Sequence, residues 1–203
     1  FPTRRSSDLV LKNKLNIHDK NDLFEAEKRL TFVRLQQLQS EPVKGRFNFE
    51  HLKAIHKYIF QDLYDWAGEV RTIDIGKNNL FCRAQFINDY AQTVFSDFYS
   101  TCFSAKDDRH VFLQALVSHY ADMNALHPFR EGNGRSQREF TRELCMKCGY
   151  MLDLTKTVHK DMLDASIMSF NTGDNSGLLA IFEDAVIPIK EYADIRSEER
   201  RVG

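Results

Sequence analysis

His127-Pro128-Phe129-Arg130-Glu131-Gly132-Asn133-Gly134-Arg135-Ser136-Gln137-Arg138 gathers a titratable base, a carboxylate, an amide, two glycines and a pair of arginines three apart into twelve residues. Pro128 fixes its own backbone and disfavours helical geometry at His127, so a preceding helix is expected to end here, with the imidazole facing a loop. Upstream, Phe112, Ala115, Leu116, Tyr120 and Met123 recur at spacings of three and four, which predicts a buried central helix over 111–126. Downstream, residues 135–148 read as a helix closed by Gly149, a residue suited to a left-handed cap. The stretch is therefore a helix–loop–helix junction.

Working outward, the same periodicity predicts helices over 21–39, with Asp19 or Asn21 as cap, and over 49–64, where Phe49, Leu52, Ile55, Ile59 and Leu63 form one stripe. Pro42 and Gly45 separate these two, and Trp66-Ala67-Gly68 stops the second. Further helices are expected over 86–103, 156–170 and 176–186. Between them, Val70, Thr72 and Asp74 alternate with Arg71, Ile73 and Ile75 before Gly76-Lys77-Asn78-Asn79 and Leu80-Phe81, a candidate β-hairpin. The expected fold is all-α, a bundle of about seven to eight helices with one small hairpin.

A chain of 203 residues buries roughly 70% of its unfolded surface, and no repeat or low-complexity linker divides it, so one domain over 9–195 is expected. Basic and acidic residues number 28 and 29, leaving a net charge of -1 and no overall field that would draw the chain to nucleic acid or an anionic membrane. Four cysteines are too sparse for a disulfide framework. Cys145 and Cys148 have the spacing of a metal or redox pair but fall within a predicted helix with no second ligand pair nearby, and read as free thiols. No apolar run approaches the ~20 residues that span a bilayer. Residues 1–8 and 196–203 read as adapter-derived ends outside the fold.

The loop itself points to phosphate. Gly132-Asn133-Gly134 lets the backbone approach a ligand closely, and the following helix adds its positive N-terminal end. Arg135 and Arg138 share a face of that helix and can grip one polyphosphate with their forked donors. Glu131 would be repelled by the same phosphates unless a cation lay between, and Mg2+ resolves the conflict. Each part alone reads as a capped helix end, a connection or solvated arginines; one short loop containing all of them argues for a site.

These residues resemble the Fic signature, His-x-Phe-x-(Asp or Glu)-Gly-Asn-Gly-Arg-x-x-Arg, with every specified position filled by residues 127 to 138. The resemblance extends over much of 13–188, through Asn13-Lys14-Leu15, Trp66-Ala67-Gly68, the 71–81 hairpin and Gly173-Asp174. It implies an all-helical Fic fold and a protein adenylyltransferase that moves AMP from ATP to a Tyr, Thr or Ser hydroxyl of a target protein, releasing pyrophosphate. By the same resemblance His127 would be the base and Phe129 a core anchor. Glu131 would bind Mg2+, Gly132, Asn133 and Gly134 would line the anion hole, and Arg135 and Arg138 would hold the beta- and gamma-phosphates. The segment Arg71, Thr72, Ile73, Asp74, Ile75, Gly76, Lys77, Asn78, Asn79, Leu80 and Phe81 would be a flap that pairs with an extended target strand.

Inhibitory helices in this family carry Ser/Thr-x-x-x-Glu-Gly/Asn. Here the only Glu followed by Gly or Asn is Glu131, preceded at the required spacing by His127, so inhibition is expected from a separate small antitoxin-like protein or from a region beyond this sequence. Two other readings stay open: transfer of UMP, phosphate or phosphocholine on the same fold, and a catalytically idle module that holds a partner through the flap. A bacterial cytosol, or delivery into a host cell by a specialised secretion system, fits a sequence without a secretory signal.

Overall fold

The computed structural model describes residues 10–76 and 79–193. Lys77, Asn78 and the two expected adapter segments lie outside them. Asp19 opens α1 (Lys20–Ser40), its carboxylate accepting from the N–H groups of Asn21 and Asp22 at 2.8 and 3.0 Å, and Asn48 caps α2 (Phe49–Phe60) in the same way through His51 N–H at 3.1 Å. The second helix ends earlier than its apolar stripe suggests. Leu63 and Tyr64 both donate to Phe60 O at 3.0 Å, so the stripe finishes as a tight turn that still buries Leu63.

The helix expected over 86–103 is two, α3 (Ile87–Phe95) and α4 (Phe98–Ser104). At the break the Ser96 hydroxyl donates to Thr93 O at 2.9 Å and Asp97 leaves helical geometry at φ -132°, the competition with the backbone that short polar side chains offer. Next come α5 (Arg109–Leu126), capped by Asp108, then α6 (Asn133–Lys147), α7 (His159–Thr172) and α8 (Ser176–Ala185). The helical class stands as the sequence predicts.

The strand pairing does not stand as predicted. The two-stranded sheet among the described residues joins β1 (Tyr150–Leu152) to β2 (Val186–Pro188), antiparallel with Met151 opposite Ile187, where the sequence offers only the end of a helix. The 70–81 segment keeps a single bridge, Gly76 to Leu80, with Phe81 N–H donating to Ile75 O at 3.2 Å.

The core is built around α5, which buries Phe112, Leu113, Leu116, Val117, Tyr120, Met123 and Leu126. Helix α6 is equally enclosed although its sequence is polar, packed against α2, α5 and β1. Its buried groups are paired: Arg142 forks onto Glu139 at 2.6 and 2.9 Å and caps Leu38 O at 2.9 Å, Glu143 meets His51 at 3.1 Å, and Gln137 donates to Met123 O at 3.1 Å. Fixed on all sides, α6 holds its N-terminus, and the loop before it, in one place.

Candidate active site

His127 takes the left-handed conformation (φ 43°, ψ 60°) rather than the extended one that Pro128 favours, because α5 must stop and reverse within one residue while His127 N–H still bonds Met123 O at 3.2 Å. Its Nδ1 lies 3.2 Å from Asn124 O; a carbonyl only accepts, so Nδ1 carries the proton and Nε2 is left as the base. Burial is the main force holding the imidazole pKa down to about 4, the Arg71 charge adds to it, and the Asn124 carbonyl acts in the opposite sense. The ring stacks on Phe81, centroids 3.8 Å apart and planes 10° apart. At neutral pH this histidine is an uncharged, oriented proton acceptor.

The rest of the loop is turned by Gly132, at φ 79°, where a Cβ would stand 2.1 Å from Phe60 Cζ. Phe129 lies wholly in the core, as expected of an anchor. Asn133 is buried beneath it: Oδ1 accepts from Phe129 N–H at 2.9 Å and Nδ2 donates to Phe129 O at 2.8 Å. Its side chain is thereby used up inside the loop, and only its main chain is left for a ligand. The N–H groups of Asn133, Gly134 and Arg135 belong to the first turn of α6 and have no intrahelical acceptor.

The two arginines differ in their surroundings. Arg135 is gripped by α1, donating to Glu27 and, at 3.1 Å, to Thr31 Oγ1, with its guanidinium 4.8 Å from the Phe60 ring centre and 3.6 Å from Glu131 Oε1. Glu27 also accepts from the Tyr64 hydroxyl. Arg138 makes none of the ion pairs found among the described residues and folds back over Gly134, where a Cβ would come 3.0 Å from Nη1. Glu131 is half exposed, one carboxylate oxygen held by Gly132 N–H at 2.8 Å.

Around these groups lies a cavity of 490 Å³ lined by Glu131, Gly132, Gly134, Arg135 and Arg138 from the loop side, by Phe24, Glu27, Lys28, Thr31, Phe32 and Leu35 from α1, and by His159 from α7. His127 lines a second cavity of 340 Å³ with Asn79, Phe81, Asn124, Leu163, Ser166, Ile167, Phe170 and Asn171. A larger groove of 620 Å³ on the outer face of α1, between Phe32 and Tyr58, holds no loop residue. Size therefore does not locate the site; the chemistry does.

The expected flap sits over the His127 cavity. Asn79 Nδ2 donates to Asn171 Oδ1 at 2.7 Å, Phe81 contacts Phe170 at 4.8 Å between centroids, and Thr72, Ile73, Asp74, Gly76 and Leu80 are exposed with Ile75 half-buried. Arg71 is not at the flap's edge but beneath it, donating to the carbonyls of His127 (2.9 Å), Ile73 (2.8 Å) and Cys82. The sequence pattern missed Glu27, Thr31 and His56, because a single polar residue on a helix reads as solvated. Nor did it single out Leu163 and Ile167, which are exposed on α7 and line the His127 cavity.

The Fic/DOC family model matches residues 46–145. The chain is 38% identical over 173 residues to a probable protein adenylyltransferase, y4lH, of Sinorhizobium fredii, covering 84% of this chain and 88% of that one. It is 32% identical to the probable protein adenylyltransferase Fic of Salmonella typhimurium, across 90% of each. It is 36% identical to the protein adenylyltransferase VbhT of Bartonella schoenbuchensis, where the match spans 79% of this chain and 34% of the relative. Among solved structures, the Bartonella tribocorum effector BepC with bound AMPPNP superposes with a TM-score of 0.82 at 22% identity, over 90% of this chain and 97% of that one. The N-terminal Fic domain of a Bartonella quintana effector with bound ADP gives 0.84 at 24%, over 90% and 93%. With identity sustained across most of both partners and the signature loop standing intact at the head of α6, this chain belongs to the Fic/DOC family.

Proposed function

We propose that this chain is a protein adenylyltransferase. The observation that carries the reading is the neutral His127 imidazole, its Nδ1–H donated to Asn124 O and its Nε2 bare, with the Gly132-Asn133-Gly134 cradle beginning five residues later at a helix N-terminus. An acceptor hydroxyl gives its proton to Nε2 while its oxygen bonds to the alpha-phosphorus of ATP; the bond to the bridging oxygen breaks and pyrophosphate leaves. Arg138 and the free N–H groups at the start of α6 hold the departing phosphates, and Arg135, already committed to Glu27 and Thr31, braces the cradle. The 340 Å³ cavity, with Leu163, Ile167 and Phe170 as apolar walls and Asn171 and Asn124 as polar contacts, suits the nucleoside.

Mg2+ fits this donor set only as a nucleotide-bound ion. No cluster of three ligating side chains exists among the described residues, and Glu131 is the one carboxylate of the loop, half exposed at the cavity. Single-carboxylate binding with phosphate and water completing the octahedron is the usual mode for this ion. When bound, Mg2+ neutralises charge on the phosphates.

The flap, with Ile73 and Leu80 about half exposed, offers an edge to the target segment that carries the acceptor hydroxyl. A separate small inhibitor protein fits the cavity's other rim, where exposed Phe24 and Phe32 on α1 stand beside an Arg138 that makes no ion pair among the described residues. No helix among the described residues is long and apolar enough to cross a membrane. Two addresses suit this reading, the bacterial cytosol and delivery into a host cell; the Bartonella neighbours of the same fold are translocated effectors.

The test uses ATP labelled at the alpha or the gamma position, with Mg2+ and a protein extract. Label should pass to protein from the alpha position alone, and His127→Ala should slow it by about 10²–10⁴-fold. Transfer from the gamma position would make the chain a kinase, and no transfer from either would leave a binding module.

A further inference from the structure

His56 stands outside the signature loop, in the middle of α2, and is completely buried. A histidine in such a place is normally core filler, and its ring does stack on Phe129 (centroids 3.9 Å, planes 20°) and on Phe60 (4.6 Å, 28°). A phenylalanine would serve for that. Both ring nitrogens are engaged, however: Gly68 N–H donates to Nδ1 at 2.8 Å, which leaves the proton on Nε2, and Nε2–H donates to Glu131 O at 3.0 Å.

The second bond has a consequence at the next atom. Peptide units are planar and trans, with C=O and N–H pointing to opposite sides, and none among the described residues is cis. A Glu131 carbonyl drawn inward to His56 therefore turns the Gly132 N–H outward to the cavity. There it donates to Glu131 Oε1 at 2.8 Å and holds the carboxylate at the cavity mouth. The left-handed backbone of Gly132, wedged against the same Phe60 that stacks on His56, allows this orientation.

We propose that His56 is a positioning residue for the phosphate cradle: by pinning the Glu131 carbonyl it sets the 131–132 peptide so that the Gly132 N–H and the Glu131 carboxylate face the nucleotide. This rests on the adenylyltransferase reading for the identity of the ligand, but the peptide geometry is a property of the nucleotide-free chain and can be read by itself.

Three substitutions separate positioning from packing. His56→Gln places an amide nitrogen where Nε2 was and keeps the donor to Glu131 O. His56→Asn places an amide oxygen where Nδ1 was, keeping only the contact to Gly68. Gly68→Ala strains the other partner, with φ 85° and a Cβ 2.8 Å from Lys57 Cβ, without touching the loop. In the nucleotide-free protein the Gly132 amide resonance should stay in place in His56→Gln and Gly68→Ala and move in His56→Asn. Calorimetry with ATP and Mg2+ should find His56→Gln within about threefold of the parent and His56→Asn weaker by about tenfold or more.

Equal behaviour of His56→Gln and His56→Asn in both readouts overturns the proposal, as does affinity that merely follows the thermal midpoint across all three variants. Should His56→Asn not fold, the tautomer of His56 in the parent protein, read from its ring nitrogen resonances, decides: a proton on Nδ1 is incompatible with the bond to Glu131 O. A parent chain that binds no nucleotide sinks the functional reading and the cradle role with it, while the Gly132 resonance still reports whether His56 orients the peptide.

Discussion

Gly132 carries two constraints at once, a left-handed backbone and a Phe60 ring where its Cβ would be, so no side chain fits without moving either the loop or the floor of the cradle. Gly132→Ala should cost about 3 kcal/mol or more, from the left-handed penalty and the overpacking together, seen as a lower denaturation midpoint with an unchanged slope. Asn133 is the complementary case. Both its polar ends are spent on Phe129, and Asn133→Ala should cost about 2–4 kcal/mol by leaving that residue's buried N–H and C=O unpaired. The signature's amide is thus explained by what it does to the loop's own backbone. In the sequence Asn133 reads as a member of the anion hole; that its side chain points inward follows from burial, which local pattern does not encode.

At the scale of elements, the 71–81 segment proposed as a flap is tied to His127, the proposed base, by one buried guanidinium. Arg71 spends its fork on carbonyls from three segments, and its own N–H donates to Pro128 O at 2.9 Å, so the 71–81 segment, the signature loop and the approach to α3 share a single knot. Arg71→Met keeps the bulk and removes the donors. It should speed amide exchange across residues 73–81 and lower overall stability by about 1–3 kcal/mol. Unchanged exchange in the flap would show that Asn79, Asn171 and the Phe81–Phe170 contact hold it without Arg71. The alternation over 70–75 reads as an ordinary strand, yet Arg71 is buried and only one bridge forms, because the segment is held by side chain to backbone bonds rather than by a ladder. Helix α6 makes the same point: its apolar positions are few, and beside the local Arg142–Glu139 pair its burial rests on His51–Glu143 and on Arg142 to Leu38 O, whose partners come together only on folding.

For the molecule as a whole, two imidazoles are folded away uncharged. His56 and His127 are both held down to about 4, each chiefly by burial, whereas an unfolded chain takes up protons near 6.5. The unfolded state therefore binds more protons below that value, so the stabilisation they contribute is complete above about pH 6.5 and drains away as pH falls towards 4. Glu139 and Asp122, raised by burial, run the other way. The thermal midpoint should be flat from pH 8 to 7 and fall between 6.5 and 4, with the His56 and His127 ring resonances silent down to pH 5. Titration of either ring near 6.5 would mean that it is open to water.

By itself the sequence determined the helical class, most helix positions and the Fic signature over residues 127–138, because periodic burial and a dense polar loop are local patterns. It placed His127, Glu131, Arg135 and Arg138 together since they are neighbours in the chain. Only the tertiary structure decided that Arg135 is braced by Glu27 while Arg138 makes no ion pair among the described residues, that Asn133 and Arg71 turn inward, and that His56 reaches across to Glu131 O at 3.0 Å. The contacts of Arg135, Arg71 and His56 depend on partners distant in sequence, and which polar residue is buried, Asn133 included, is set by what the fold packs against it.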